Sequence, residues 1–223
     1  HRIVVPRRGD VERDAGCWED RVVPIPSGDW AIVVPVKGGP LAKSRLSLPR
    51  ATRSALADAF ARDTVAALAA GAPGATLVVV TGDDDVRRWA ARDRRAWVRD
   101  PGNGLDAAVR AGATAGAERG CRRVAVVLAD HPALRAADVH RALALAGGHT
   151  RVVVPDADDD GTALLTFPAG EPPRTAFGVG SAAAHEHLGH DRLVLDLPGL
   201  TRDVDDARSL AAAVRIGVGG HTA

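Results

Sequence analysis

Apolar residues fall into short, closely spaced runs separated by longer Ala-rich stretches with helical spacing. Trp30-Ala-Ile-Val-Val-Pro-Val36 reads as a strand. A helix follows from Ser47-Leu48-Pro49 to about Ala70, since Ser before Pro starts helices well. Leu56, Phe60, Val65 and Leu68 share one of its faces. Gly71 to Gly74 breaks it, and Ala75–Thr81 is the second strand. The run is apolar throughout, as in a sheet buried on both sides. Asp83-Asp84-Asp85 opens a helix, where carboxylates complement the helix dipole. The pattern then predicts strand 96–98, helix 104–120, strand 123–128, helix 136–146, strand 151–155 and a further strand over 162–167. Helix 181–188, an extended segment 193–197 and helix 205–214 complete it.

Strands alternating with helices predict an α/β fold, a three-layer and mostly parallel sheet with right-handed crossovers. No long polar linker divides the 223 residues, so one domain is expected over 29–220. Residues 1–28 read as an N-terminal extension, polar and charged and unlike a secretory signal. No run is long enough to span a membrane. Hydrophobic residues make up 46% and aromatics 3%, so the core is built from Val, Leu, Ile and Ala. A net charge of +1 gives no basic nucleic-acid face. Cys17 and Cys121 form neither a disulfide framework nor a spaced metal set, in keeping with the cytoplasm.

The chemistry gathers after the strands, where ligands of such sheets bind. Of 29 Lys plus Arg, only Lys37 and Lys43 are lysine. They share one loop with Arg45 after the first strand, and a compact ammonium does what a broad guanidinium does not. Chance placement is the plain alternative. Asp83, Asp130, Asp156, the run Asp158–Asp160, and Asp203-Val-Asp205 follow later strands. Lysines from one loop and carboxylates from several suit an anionic substrate bridged to protein by Mg²⁺. Asp130 before His131-Pro132 could simply turn the chain. Asp158–Asp160 reads as a solvated acidic loop before it reads as a metal cage. Asp205 reads as a helix cap, which leaves Asp203 as the better metal ligand. Phe177-Gly178-Val-Gly180-Ser181 would offer backbone N–H groups and a hydroxyl to an anion. There is no Walker A motif and no nucleophile elbow.

Taken in order, several segments resemble one family. They are Val-Pro-Val-Lys37, Ala-Lys43-Ser-Arg45-Leu, Gly104-Leu-Asp-Ala-Ala and Leu128-Ala-Asp130-His-Pro132. Pro155-Asp156 with Gly161-Thr162, Phe177-Gly178-x-Gly-Ser181 with His185, and Asp203-Val-Asp205 continue the series. The family is the 2-phospho-L-lactate/phosphoenolpyruvate guanylyltransferases of coenzyme F-420 biosynthesis, and the likeness spans about 30–218. The resemblance implies a nucleotide-diphospho-sugar transferase-like fold, related to the Rossmann sheet. It implies a reaction joining GTP to a phosphorylated three-carbon acid with release of pyrophosphate. By that resemblance Lys37, Lys43 and Arg45 hold the triphosphate. Asp130 and Asp203 bind Mg²⁺, with Asp205 as a second candidate. Thr162, Gly178 and Ser181 hold the phospho-acid. This chain departs from the family with Asp106 where Asn is usual and with His131 where Leu or Val is common. The alternatives are a sugar-phosphate or molybdenum-cofactor nucleotidyltransferase, which usually carries a Gly-rich first loop absent here, or a non-catalytic nucleotide-binding protein. No nucleic-acid or membrane partner is expected, and self-association is left open.

Overall fold

The computed structural model describes residues 2–4, 28–37 and 46–223. Lys43, Arg45 and Cys17 lie outside them. Eight strands form one sheet: β1 Arg2–Val4, β2 Trp30–Pro35, β3 Thr76–Thr81, β4 Ala96–Arg99, β5 Arg123–Val126, β6 Val152–Pro155, β7 Thr162–Pro168 and β8 Asp191–Val194. Their order is β1-β8-β6-β7-β5-β2-β3-β4. Strand β7 runs antiparallel to both neighbours, β5 and β6, and every other pairing is parallel. The expected α/β, mostly parallel sheet is therefore present. Arg2–Val4, within the segment read as an extension, pairs with β8 at the sheet edge.

The helices are α1 Arg50–Gly71, α2 Asp84–Arg92, α3 Leu105–Glu118, α4 Ala136–Ala146, α5 Ser181–His187, α6 Pro198–Thr201 and α7 Ala207–Ile216. Alternate strand residues serve opposite faces. Ile32, Val34, Ala125, Val127, Val152 and Val154 pack in the larger core with Leu68 of α1 and Leu143 of α4. Val33, Val124, Val126 and Val153 pack in the other with Ala108 and Val109 of α3. Cover on both faces is why the strand sequences are apolar without alternation. Helix α3 sits close because it carries glycine at the contact. A Cβ on Gly112 would meet Val33 Cγ1 at 2.4 Å, and one on Gly116 would meet Ala31 Cβ at 2.4 Å.

Boundaries toward the C-terminal end differ from the sequence reading. The segment expected to be extended over 193–197 pairs over Asp191–Val194 instead, and Pro198 then opens α6. Proline suits a first helical turn because its missing N–H would have no partner there. The last helix is capped by Asp206, not Asp205. Asp206 Oδ1 accepts from the Ser209 N–H at 2.7 Å, while Ser209 Oγ accepts from the Asp206 N–H at 2.9 Å. This reciprocal pair fixes the helix cap one residue later than expected. Among the described residues no helix is long and apolar enough to cross a membrane.

Candidate active site

The reversal of β7 decides where the site lies. It brings Thr162, at the start of β7, to the edge where the parallel strands β2, β5 and β6 end. On the neighbouring parallel strands Val33 pairs with Val126. Lys37 and Asp130 each lie four residues further on, so both emerge at this edge. Lys37 is exposed and borders a cleft of about 720 Å³ between α1 and α2, with Asp58, Asp83 and Trp89. Asp83 is a helix cap there, its Oδ1 accepting from the N–H groups of Asp85 (2.8 Å) and Val86 (3.2 Å).

The carboxylates converge. Asp130, Asp203 and Asp205 each offer an oxygen, and these oxygens lie within 4.8 Å of one another. Local structure explains the convergence. The Val204 N–H donates to the Asp130 carbonyl at 2.9 Å, tying the two loops together. Val204 is fully buried beside Phe60, Ala133 and Ala213. In an extended segment alternate residues face opposite ways, so a buried Val204 turns Asp203 and Asp205 to one side. With Asp206 as the cap, Asp205 joins the cluster instead of starting the helix. Three carboxylate oxygens are a hard donor set that fits Mg²⁺ or Mn²⁺ and suits a soft metal poorly. His131, in the same loop, is buried at 2% exposure, and its N–H donates to Thr64 Oγ1 at 3.1 Å.

Thr162 and Ser181 also come together. Their hydroxyl oxygens are 2.9 Å apart, and Thr162 Oγ1 lies 3.0 Å from His185 Nδ1. The Ala176 N–H donates to His185 Nε2 at 3.0 Å. Burial, then the neighbouring His190 ring, hold the His185 pKa down at about 4. Gly180, at the turn into α5, is left-handed at φ 72, a conformation glycine adopts without strain. Of the N–H groups expected to be open at the helix start, three are taken. The Gly180 N–H donates to Asp160 Oδ1, the Ser181 N–H to the Gly178 carbonyl, and the Ala182 N–H to the Asp160 carbonyl, each at 3.1 Å.

Asp156, Asp159 and Asp160 belong to this architecture, a role the sequence reading missed. Asp156 accepts from the N–H groups of Asp160 (3.0 Å) and Gly161 (2.8 Å), closing the β6–β7 loop. A Cβ on Gly161 would meet Asp156 Oδ2 at 2.4 Å, so a side chain there would push the Asp156 carboxylate out of this arrangement. Asp159 pairs with Arg192, which also binds Glu186 at 2.7 Å. Asp-rich loops ending in Gly between two apolar runs are the sequence signal for such a turn. Asp106, in the first turn of α3, accepts from the Phe177 N–H at 3.3 Å. An acidic cleft of about 330 Å³ between the β6–β7 loop and the start of α7 is lined by Asp156, Asp158, Asp160, Asp203, Asp205 and Asp206. It joins the Asp203–Asp205 pair to the loop that holds Gly180.

The MobA-like NTP transferase domain family matches residues 44–197. The phosphoenolpyruvate guanylyltransferase of Salinispora arenicola is 45% identical over 199 residues, covering 87% of this chain and 92% of that protein. That of Geodermatophilus obscurus is 43% identical over 205 residues, covering 87% and 92%. A solved structure from Desulfovibrio desulfuricans, assigned as a nucleotide-diphospho-sugar transferase, superposes with a TM-score of 0.64 at 19% identity over 85% of this chain and 87% of that one. At that identity the likeness speaks for the fold.

Proposed function

The chain belongs to the phosphoenolpyruvate guanylyltransferases within the MobA-like NTP transferases, and from that premise we propose that it joins GTP to phosphoenolpyruvate, releasing pyrophosphate, in coenzyme F-420 biosynthesis. 2-Phospho-L-lactate is the second acceptor in the same reading. The observation that carries it is the meeting of Asp130, Asp203 and Asp205 at the sheet edge where Thr162 and Ser181 also stand. The transferase domain is 29–220, with 1–28 as an extension that adds strand Arg2–Val4 to its edge, and it works in the cytoplasm.

A phosphate oxygen of the acid attacks the α-phosphorus of GTP. The new P–O bond forms as the α–β bridging P–O bond breaks, and pyrophosphate leaves with that electron pair. The attacking oxygen is already ionised at neutral pH, so no general base is needed. The difficulty is holding two polyanions together. Lys37 supplies positive charge at the end of β2, and Lys43 and Arg45 add theirs from the same loop. Asp130, Asp203 and Asp205 would hold Mg²⁺, which neutralises phosphate charge when bound. Thr162, Gly178 and Ser181 orient the acid. Positioning and electrostatics therefore carry the rate, and the site needs no protein nucleophile.

Pyrophosphate release is the test, with GTP or ATP against phosphoenolpyruvate, 2-phospho-L-lactate and 3-phosphoglycerate, with and without Mg²⁺. The expected result is Mg²⁺-dependent release with GTP and phosphoenolpyruvate. Nucleotide binding without release under any acceptor would refute the reaction.

A further inference from the structure

We infer that His185 fixes the direction of the hydrogen-bond chain His185–Thr162–Ser181, so that Ser181 presents its hydroxyl proton to the phosphorylated acid. The ligand named here rests on the proposed function. The direction follows from which groups can donate. A backbone N–H only donates, and that of Ala176 is 3.0 Å from His185 Nε2. Nε2 therefore carries a lone pair. Burial keeps the ring neutral, so its single proton is on Nδ1. Nδ1–H donates to Thr162 Oγ1 at 3.0 Å. Thr162 has one hydroxyl proton, which goes to Ser181 Oγ at 2.9 Å. The Ser181 proton is left for a ligand, since Thr162 is the only hydrogen-bond partner of that buried hydroxyl among the described residues.

Packing holds the ring in this orientation. Phe177 meets it edge-on at 4.9 Å, and His190 does so at 5.6 Å. A flip would place ring carbons against both Ala176 and Thr162. The reverse polarity would turn hydroxyl lone pairs toward an anion and repel it. The N–H groups of Gly180, Ser181 and Ala182 do not substitute, because they already donate within the protein. His185 is thus a positioning residue acting through two hydroxyls, not a catalytic one.

Two variants separate the ring's two bonds. His185→Asn keeps an amide N–H near the Nδ1 position. His185→Gln keeps an acceptor for Ala176 but offers Thr162 no donor. His185→Gln should raise KM for phosphoenolpyruvate at least about tenfold, the loss expected for one hydrogen bond to a charged group, with KM for GTP little changed. His185→Asn should recover most of it. A purely structural role would lower activity and thermal stability in both variants without a split between the two KM values. Ring ¹⁵N NMR of the wild-type protein reads the tautomer directly, with Nδ1 protonated and Nε2 bare. A proton on Nε2, or wild-type KM in His185→Gln, would overturn the inference. If both variants unfold, the wild-type spectrum decides. Absence of pyrophosphate release by the wild-type protein would instead overturn the proposed reaction and the ligand assigned here, while the spectrum still judges the polarity.

Discussion

Val204 touches neither substrate, yet its truncation should weaken the metal site. The residue is fully buried, and its N–H holds the Asp130 carbonyl at 2.9 Å. Val204→Ala removes two methyl groups at about 0.8 kcal/mol each, and the residual cavity brings the loss to about 2–3 kcal/mol. The backbone hydrogen bond survives in principle, but the peg that turns Asp203 and Asp205 to one side is loosened. If about 1 kcal/mol of that loss falls on the conformation that gathers the three carboxylates, half-saturating Mg²⁺ rises about fivefold. Activity at saturating Mg²⁺ should then return to within about twofold of wild type, since every ligand is still present. The assay pairs urea unfolding with pyrophosphate release across a Mg²⁺ titration. A variant that loses stability but keeps the wild-type Mg²⁺ curve would refute the peg. Wild-type activity indifferent to Mg²⁺ would refute the metal centre itself.

Asp130→Asn should lower pyrophosphate release at least about 100-fold while circular dichroism and Tm stay near wild type, because a neutral amide replaces a charged ligand; wild-type Mg²⁺-dependent activity there would remove Asp130 from the site. Lys37→Arg should cost about tenfold in kcat/KM, as a planar fork replaces a point charge, and unchanged kinetics would return Lys37 to chance. Asp63 is 5% exposed and accepts from the N–H groups of His221 and Thr222 at 2.9 Å each; Asp63→Ala should destabilise by about 2–3 kcal/mol, at the low end for two charged acceptor bonds because the freed N–H groups can meet water. Burial lowers the pKa of both His185 and His190, so the unfolded chain takes up these protons first as pH falls. The His185 contribution is full above the unfolded value near 6.5 and is lost as pH drops from there through about 4, by at most about 1.4 kcal/mol per pH unit, and that of His190 is lost in the same direction below 6.5. His185→Asn should flatten that slope in urea titrations, and an unchanged slope would count against a neutral buried ring.

The sheet was legible because its strands are buried on both faces. A run such as Thr76-Leu-Val-Val-Val-Thr81 admits few other placements in a chain of this composition. The antiparallel insertion of β7 was not legible from periodicity, since a doubly buried strand has the same pattern in either direction. That reversal is what carries Thr162 to the site. Asp130 could be singled out because it follows a strand, and Asp203 because it lies on an extended segment with no helix of its own to cap. Asp205 was misread because Asp205 and Asp206 are equivalent as caps in sequence, and what distinguishes them is the Ser209 N–H, which donates to the Asp206 carboxylate. His185 was visible as part of a motif but had no assignable role, because that role depends on contacts nine and twenty-three residues away.

The acidic run was underestimated for a related reason. Asp158–Asp160 is exposed, as a solvated loop should be, yet Asp159 and Asp160 carry ties to Arg192 and to the Gly180 turn. The cleft it borders presents six carboxylates. Such a surface repels both proposed substrates unless cations stand between them. The Asp130–Asp203–Asp205 cluster and the lysine loop then address one electrostatic problem from two sides. In the proposed reaction, divalent cations at the carboxylates would let phosphate approach β5, while Lys37 would neutralise it from the end of β2. This predicts that Lys37→Arg and Asp203→Asn are not additive in kcat/KM, since each removes part of a single compensation. Strictly additive losses in the double variant would mean that the two elements act on separate phosphates.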